Sequence, residues 1–232
     1  MTVSLFVLIP GADGRAWYWH RVIPELRARG HEAVAVDLPA EESAGPAEHA
    51  DAVVRAIGER TAATGGGSGI VLVAQSLAGF TAPLVPGRVP VDRLVLVNAM
   101  VPAPGESAGE WWAATGHAEA RAEYLTRTGR DADSPFDVRA DFFHDVPPEL
   151  TEEALAAGES RPPAALFTQP WPLKRWPDAP TRFLQGRDDR FFPADFQRRV
   201  VRERLGLPIE EMPGGHLLAL SRPAELAARI DA

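Results

Sequence analysis

No cysteine occurs among the 232 residues, which excludes disulfides, a thiolate nucleophile and a thiolate metal site. Lysine is nearly absent as well: Lys174 stands alone among 24 basic residues, the rest being arginine, a bias read as codon usage without mechanistic content. The net charge of −8 and pI of about 5.3 lack the basic footprint with which proteins hold nucleic acid or an anionic membrane surface, so neither is expected as a partner. Long apolar runs are missing too. The N-terminal run from Val3 to Ile9 is too short to span a bilayer and has no basic flank, which argues against a membrane segment and a signal peptide. A cytoplasmic monomer or homodimer is the expectation. His20, His31, His49 and His117 show no metal-ligand spacing, no internal repeat is visible, and neither a metal nor a cofactor is expected.

What the chain does contain is hydrophobic side chains, 45% of the total, enough for the core of one α/β domain. Short β-branched runs alternate with helical patterns. The runs are 3–9, 33–38, 70–75, 93–98, 181–186 and 208–212, and the helical patterns lie near 15–29 and 46–60, from about 77, and near 193–205 and 217–231. Runs that are apolar on both faces suit parallel strands covered by helices on each side. The expected architecture is therefore a doubly wound, mostly parallel α/β sheet.

Residues 102–178 interrupt that rhythm. They hold ten of the 22 prolines and four of the six tryptophans, and the stretch is too long for a bare loop. It is read as a helical cap inserted in a core made of 1–101 and 179–232, the alternative being a separate small domain. The "TGGGSG" stretch at 64–69 precedes a strand instead of following one, so it reads as a flexible connection and not as a phosphate loop.

The chemistry begins at "VLVAQSLAG" (71–79). Ser76 is a helix cap in one reading. In the other it is the nucleophile of a strained strand-to-helix turn, with Ala74 and Ala78 as the small residues two before and two after. A nucleophilic serine needs a base and an acid to orient that base, and both belong on loops after strand ends. "GRDDRFFP" (186–193) places Asp188 and Asp189 beyond one strand, and "PGGHLLAL" (213–220) places His216 beyond the next. Serine, aspartate and histidine in that chain order match a hydrolase triad. Singly, an Asp-Asp turn can be solvated surface and a histidine after Gly-Gly can merely cap a helix. Jointly they require three coincidences at successive strand ends. The oxyanion hole would use the backbone N–H groups of Leu77 and of Ala12 in the loop "IPGADGRAWYWH" (9–20).

These segments resemble the α/β-hydrolases of the esterase, lipase and hydroxynitrile-lyase kind. "PGADGRAWYWHRVIPELRARGHEAVAVDLP" is similar to the opening of the plant methyl-esterase and hydroxynitrile-lyase branch, and the acid and histidine turns resemble those of the wider superfamily. The overall composition suggests a bacterial member. Pro10-Gly11 and Gln75-Ser76 stand where the family usually has His-Gly and His-Ser. In the acid turn the resemblance implies a carboxylate three residues after the glycine and four before the proline, which is Asp189. It also implies a carboxylic ester, lactone or thioester hydrolase without a cofactor, acting on a small-molecule substrate. The related carbon–carbon lyases usually carry a threonine in the oxyanion loop and a lysine after the histidine. Gly11 and Leu217 occupy those positions, which favours hydrolysis. A cofactor-free dioxygenase or a non-catalytic binding protein could also be built on the same scaffold, since fold alone does not give function. Gly11, Gln75, Trp111 and Trp171 are the expected substrate contacts. The stretch's remaining aromatics, Phe142 among them, suggest an apolar acyl or aromatic pocket but are expected to be mostly its own core, and His144 either reaches the site or only satisfies its neighbours, the second being the expectation.

Overall fold

A computed structural model describes residues 3–65, 68–158 and 161–232. Gly66 and Gly67 of the 64–69 stretch lie outside the described residues. Six strands form one sheet: β1 (Ser4–Ile9), β2 (Glu32–Ala35), β3 (Gly69–Gln75), β4 (Arg93–Val97), β5 (Thr181–Gly186) and β6 (Glu210–Met212). Their order is β2-β1-β3-β4-β5-β6 and every pairing is parallel.

Side chains alternate between the two faces of the sheet. Leu5, Val7, Ile9, Leu72, Leu94 and Leu96 point into one buried cluster, where Val53 and Ile57 of α2 (Pro46–Thr64) and Phe196 and Val200 of α7 (Ala194–Leu205) meet them. Phe6, Leu8, Val71, Val73, Val95 and Val97 point into the other cluster. There they pack on Leu26 of α1 (Val22–Ala28) and on Leu226 and Ile230 of α9 (Pro223–Asp231). Both faces are buried, which is why the strands read as unbroken apolar runs. Among the described residues no helix is long and apolar enough to cross a membrane.

Between β4 and β5, the stretch 102–178, expected as an inserted cap, holds α3 (Ala108–Thr115), α4 (His117–Arg127), a π-turn at Val138–Phe142, α5 (Pro148–Ala156) and α6 (Ala164–Thr168). It shares the main core: Trp111, Leu166 and Trp171 join the same buried cluster as α2 and α7. A buried ion pair between Glu106 and Arg204 fastens the start of the insertion to α7.

Three expected helices come out differently. The segment from Ser76 is two buried 3-10 turns, Ser76–Phe80 and Ala82–Leu84; Pro83 lacks an N–H and its ring opposes the preceding turn. The pattern at 15–29 divides into a 3-10 turn, Ala16–Trp19, and α1. The one at 217–231 divides at Pro223 into α8 (Leu218–Ser221) and α9.

Candidate active site

In the strand order, β1 feeds β2 on one side while β3 lies on its other side. The loops leaving β1 and β3 therefore part at the carboxyl edge of the sheet, the place where open α/β sheets form crevices. Ser76 sits there, immediately after β3, with φ +52°. A left-handed backbone is uncommon for a residue with a side chain, and here it turns the serine out of the strand line. Ala74 and Ala78 are both buried, and Met100 N–H donates to Ser76 O at 2.9 Å, which holds the turn closed.

Asp189 and His216 reach Ser76 from the ends of β5 and β6. His216 Nε2 lies 3.1 Å from Ser76 Oγ and His216 Nδ1 lies 2.8 Å from Asp189 Oδ2. The second carboxylate oxygen, Asp189 Oδ1, accepts the backbone N–H groups of Phe191 and Phe192, both at 2.9 Å. That pair of donors keeps the carboxylate fixed with Oδ2 toward the imidazole. Asp189 and His216 are almost wholly buried and Ser76 is 8% exposed. The two loops press together so tightly that a Cβ on Gly186 would fall 2.5 Å from Gly215 O. Asp188, the neighbouring carboxylate in the turn, has a half-exposed side chain that pairs with Arg187 and accepts Gly214 N–H at 3.1 Å. Arg190 points elsewhere, donating to Ala140 O.

Aromatic rings enclose the imidazole. Phe142 stacks on His216 with centroids 4.7 Å apart and planes 14° from parallel, while Phe191 and Phe192 meet it edge-on at 5.3 Å. Phe142 comes from the π-turn, whose Asp141 is fully buried between Arg121 and Arg130. Burial pushes the Asp141 pKa up, but hydrogen bonding to the Asp137 backbone and the two arginines outweighs it and leaves the carboxyl below its ordinary range.

On the opposite side of Ser76, Gly11 is buried against the elbow. A Cβ there would fall 2.3 Å from Gln75 Oε1 and 2.9 Å from Ser76 Cβ, so only glycine lets the two loops meet. Ala12 follows it in a turn closed by Gly14 N–H donating to Gly11 O at 3.0 Å, and Leu77 is the second residue of the 3-10 turn that Ser76 begins. A narrow crevice with no room for a water molecule lies alongside, bordered by Gly11, Leu38, His49, Leu77, Thr81 and Leu166.

The expected substrate contacts fare unequally. Gly11 lies at the crevice. Gln75 is buried and spans from Gly11 to His216 O, 3.5 Å from its Nε2, so it braces the loops. Trp111 and Trp171 are core residues instead: both are fully buried, with indole N–H groups donating to Val101 O at 3.0 Å and Phe80 O at 3.1 Å. Large rings whose one polar atom is satisfied inside are best buried, and sequence position cannot tell such a ring from one that lines an opening. His144 lies under the histidine loop, its Nε2 close to where a Cβ on Gly215 would stand. Burial first and Arg190 second lower its pKa.

Two residues that bear on the site are not singled out by the sequence. Phe142 is one aromatic among many, and the π-turn that aims it has no period to betray it. Asn98 ends an expected strand, whereas β4 stops at Val97 and Asn98 turns to φ +46°. An asparagine closing an apolar run is a usable signal, because asparagine tolerates that conformation better than most residues. Among the described residues no group of three or more His, Asp or Glu side chains is placed to hold a metal ion.

Comparison with known proteins bears on the family and the fold. A family model described as "Alpha/beta hydrolase family" matches residues 6–229. The pyrethroid hydrolase of Sphingobium wenxiniae is 28% identical over 99% of this chain and 87% of its own length. A probable esterase of rice, PIR7A, is 38% identical, but the match covers only 45% of this chain and 42% of that protein. Among solved structures, polyneuridine aldehyde esterase superposes with a TM-score of 0.72 at 20% identity, covering 99% of this chain and 98% of that one. With a parallel sheet of this order and a family match over nearly its whole length, the chain belongs to the α/β-hydrolase family.

Proposed function

We propose that the protein is a serine hydrolase that cleaves a carboxylic ester, lactone or thioester of a small apolar or aromatic substrate through an acyl-enzyme. One observation carries the reading: Ser76 Oγ, both ring nitrogens of His216 and Asp189 Oδ2 form a continuous buried relay with steps of 3.1 and 2.8 Å. Ser76 Oγ attacks the carbonyl carbon while His216 Nε2 takes its proton, and the imidazolium then gives that proton to the leaving alcohol or thiol. Water repeats the sequence on the acyl-enzyme, releasing the acid and restoring the serine. Asp189 holds the Nδ1–H tautomer, so that Nε2 presents its lone pair to the serine. The backbone N–H groups of Leu77 and Ala12 receive the developing oxyanion.

The apolar preference rests on Phe142 and Phe191 around the histidine. Hydrolysis is favoured over carbon–carbon cleavage because Gly11 has no room for the threonine of the lyases and Leu217 replaces their lysine.

A fluorophosphonate probe should label Ser76, and p-nitrophenyl esters should release p-nitrophenol with a burst. Ser76→Ala should abolish labelling and lower kcat by roughly 10⁶-fold. Turnover and labelling retained in Ser76→Ala would overturn the assignment. A panel of p-nitrophenyl esters, lactones and thioesters then sorts the substrate class.

A further inference from the structure

Asp189 and His216 ride on two separate loops, so their alignment depends on whatever holds those loops to each other. Asn98, at the carboxyl end of β4, is fully buried and belongs to neither loop. Its side chain nevertheless binds both. Oδ1 accepts Gly186 N–H at 2.7 Å, and Nδ2 donates to Gly215 O and to His216 O, each at 3.0 Å. Its backbone N–H continues the sheet by donating to Leu184 O at 2.9 Å, and its φ of +46° swings the amide toward the gap between the loops.

We propose that Asn98 is a positioning residue whose amide clamps the acid loop to the histidine loop and so keeps His216 in line between Asp189 and Ser76. The inference rests on the hydrolase reading above. The bonding pattern explains the choice of residue: one acceptor and two donors are needed on a planar group two bonds from the backbone, and the left-handed backbone narrows the choice to residues that tolerate it. An ionised aspartate has the same shape but would turn an oxygen toward two carbonyls. Leucine, serine or alanine leaves buried backbone groups unpaired.

Two variants separate positioning from simple support of the fold. Asn98→Gly keeps the backbone conformation at little cost and deletes all three bonds. Its kcat should fall roughly 10–100-fold, the scale of small misplacements in a reacting constellation. KM should stay within about twofold, because Asn98 is wholly buried between the two loops, and fluorophosphonate labelling should slow in parallel. Asn98→Asp supplies a conditional rescue. When neutral, its O–H donates to one carbonyl while its second oxygen accepts Gly186 N–H; when ionised, it repels both carbonyls. Burial raises the pKa of such a carboxyl. The ratio of its kcat to that of the wild type should therefore fall as pH rises, an alkaline loss that neither the wild type nor Asn98→Gly shows.

A folded Asn98→Gly with wild-type kcat and labelling rate overturns the clamp. If Asn98→Gly does not fold, a rate ratio for Asn98→Asp that stays flat with pH overturns it instead. Either result is judged against a wild type that labels at Ser76; failure of that labelling sinks the hydrolase reading itself and is seen before any Asn98 variant is measured.

Discussion

At the rim of the sheet Asp189 and His216 are buried as deeply as Trp111 and Trp171 in the insertion, yet the two pairs are held by different forces. The rim residues sit in directional bonds: two backbone donors on Asp189 Oδ1, one imidazole between two oxygens, and an asparagine joining their loops. The insertion residues sit in a cluster of rings and aliphatic chains, with one indole hydrogen bond each. Changing a rim residue should cost rate and leave the fold. Changing an insertion core residue should cost stability and leave the serine reactive. The exception that joins the regions is Phe142, which comes from the insertion and stacks on the rim histidine.

The strongest test of that contrast is Asp189→Asn. An amide there favours the wrong imidazole tautomer, so kcat should drop by roughly 10³–10⁴-fold while circular dichroism and the melting curve stay near wild type. A melting curve that collapses with the rate would show that the rim, too, is held mainly as core.

The converse test is Trp171→Ala. Removing a buried indole should lower stability by about 3–5 kcal/mol, read as a shifted denaturant midpoint. Fluorophosphonate labelling, measured where the variant is still folded, should keep its wild-type rate. Phe142→Ala sharpens the comparison from the opposite side: a half-buried ring costs little stability, but relative kcat/KM among aryl and alkyl esters should shift, because the ring borders the reacting centre.

A smaller effect is expected at the π-turn. Asp141→Asn weakens hydrogen bonds to two arginines and should cost about 1.5–3 kcal/mol near neutral pH. The Asp141 carboxyl titrates below its ordinary range. Its contribution is therefore complete above the unfolded-state pKa and is lost as pH falls through the folded one. The melting temperatures of the variant and the wild type should converge on acidification below the ordinary carboxyl range; a gap that stays constant there would mean that the ion pairs do not carry the difference. Least of all should follow from Asp188→Asn, about 0–1 kcal/mol and little change in kcat, because an amide oxygen can still accept Gly214 N–H.

Much of the rim is legible from sequence because strand ends, turn residues and chain order are local. Ser76 stands at the end of one apolar run, Asp188 and Asp189 beyond another and His216 beyond a third, and the doubly wound sheet follows from runs that are apolar on both faces. Choosing Asp189 over Asp188 requires a family pattern, since two adjacent carboxylates in one turn offer no periodicity to separate them.

Residues within a few positions of one another set the succession of strands and helices along the chain and the loops that hold the serine, the acid and the histidine, so these could be read without the fold. The remaining roles depend on long-range contacts. Trp171 and Phe142 are both aromatics in the same irregular insertion, yet one became core and the other a lid on the imidazole, because burial depends on which distant surface each ring meets on folding. Asn98 is the same case in polar form: its partners lie 88, 117 and 118 residues away, and only the folded sheet brings those three backbone groups within reach of one side chain.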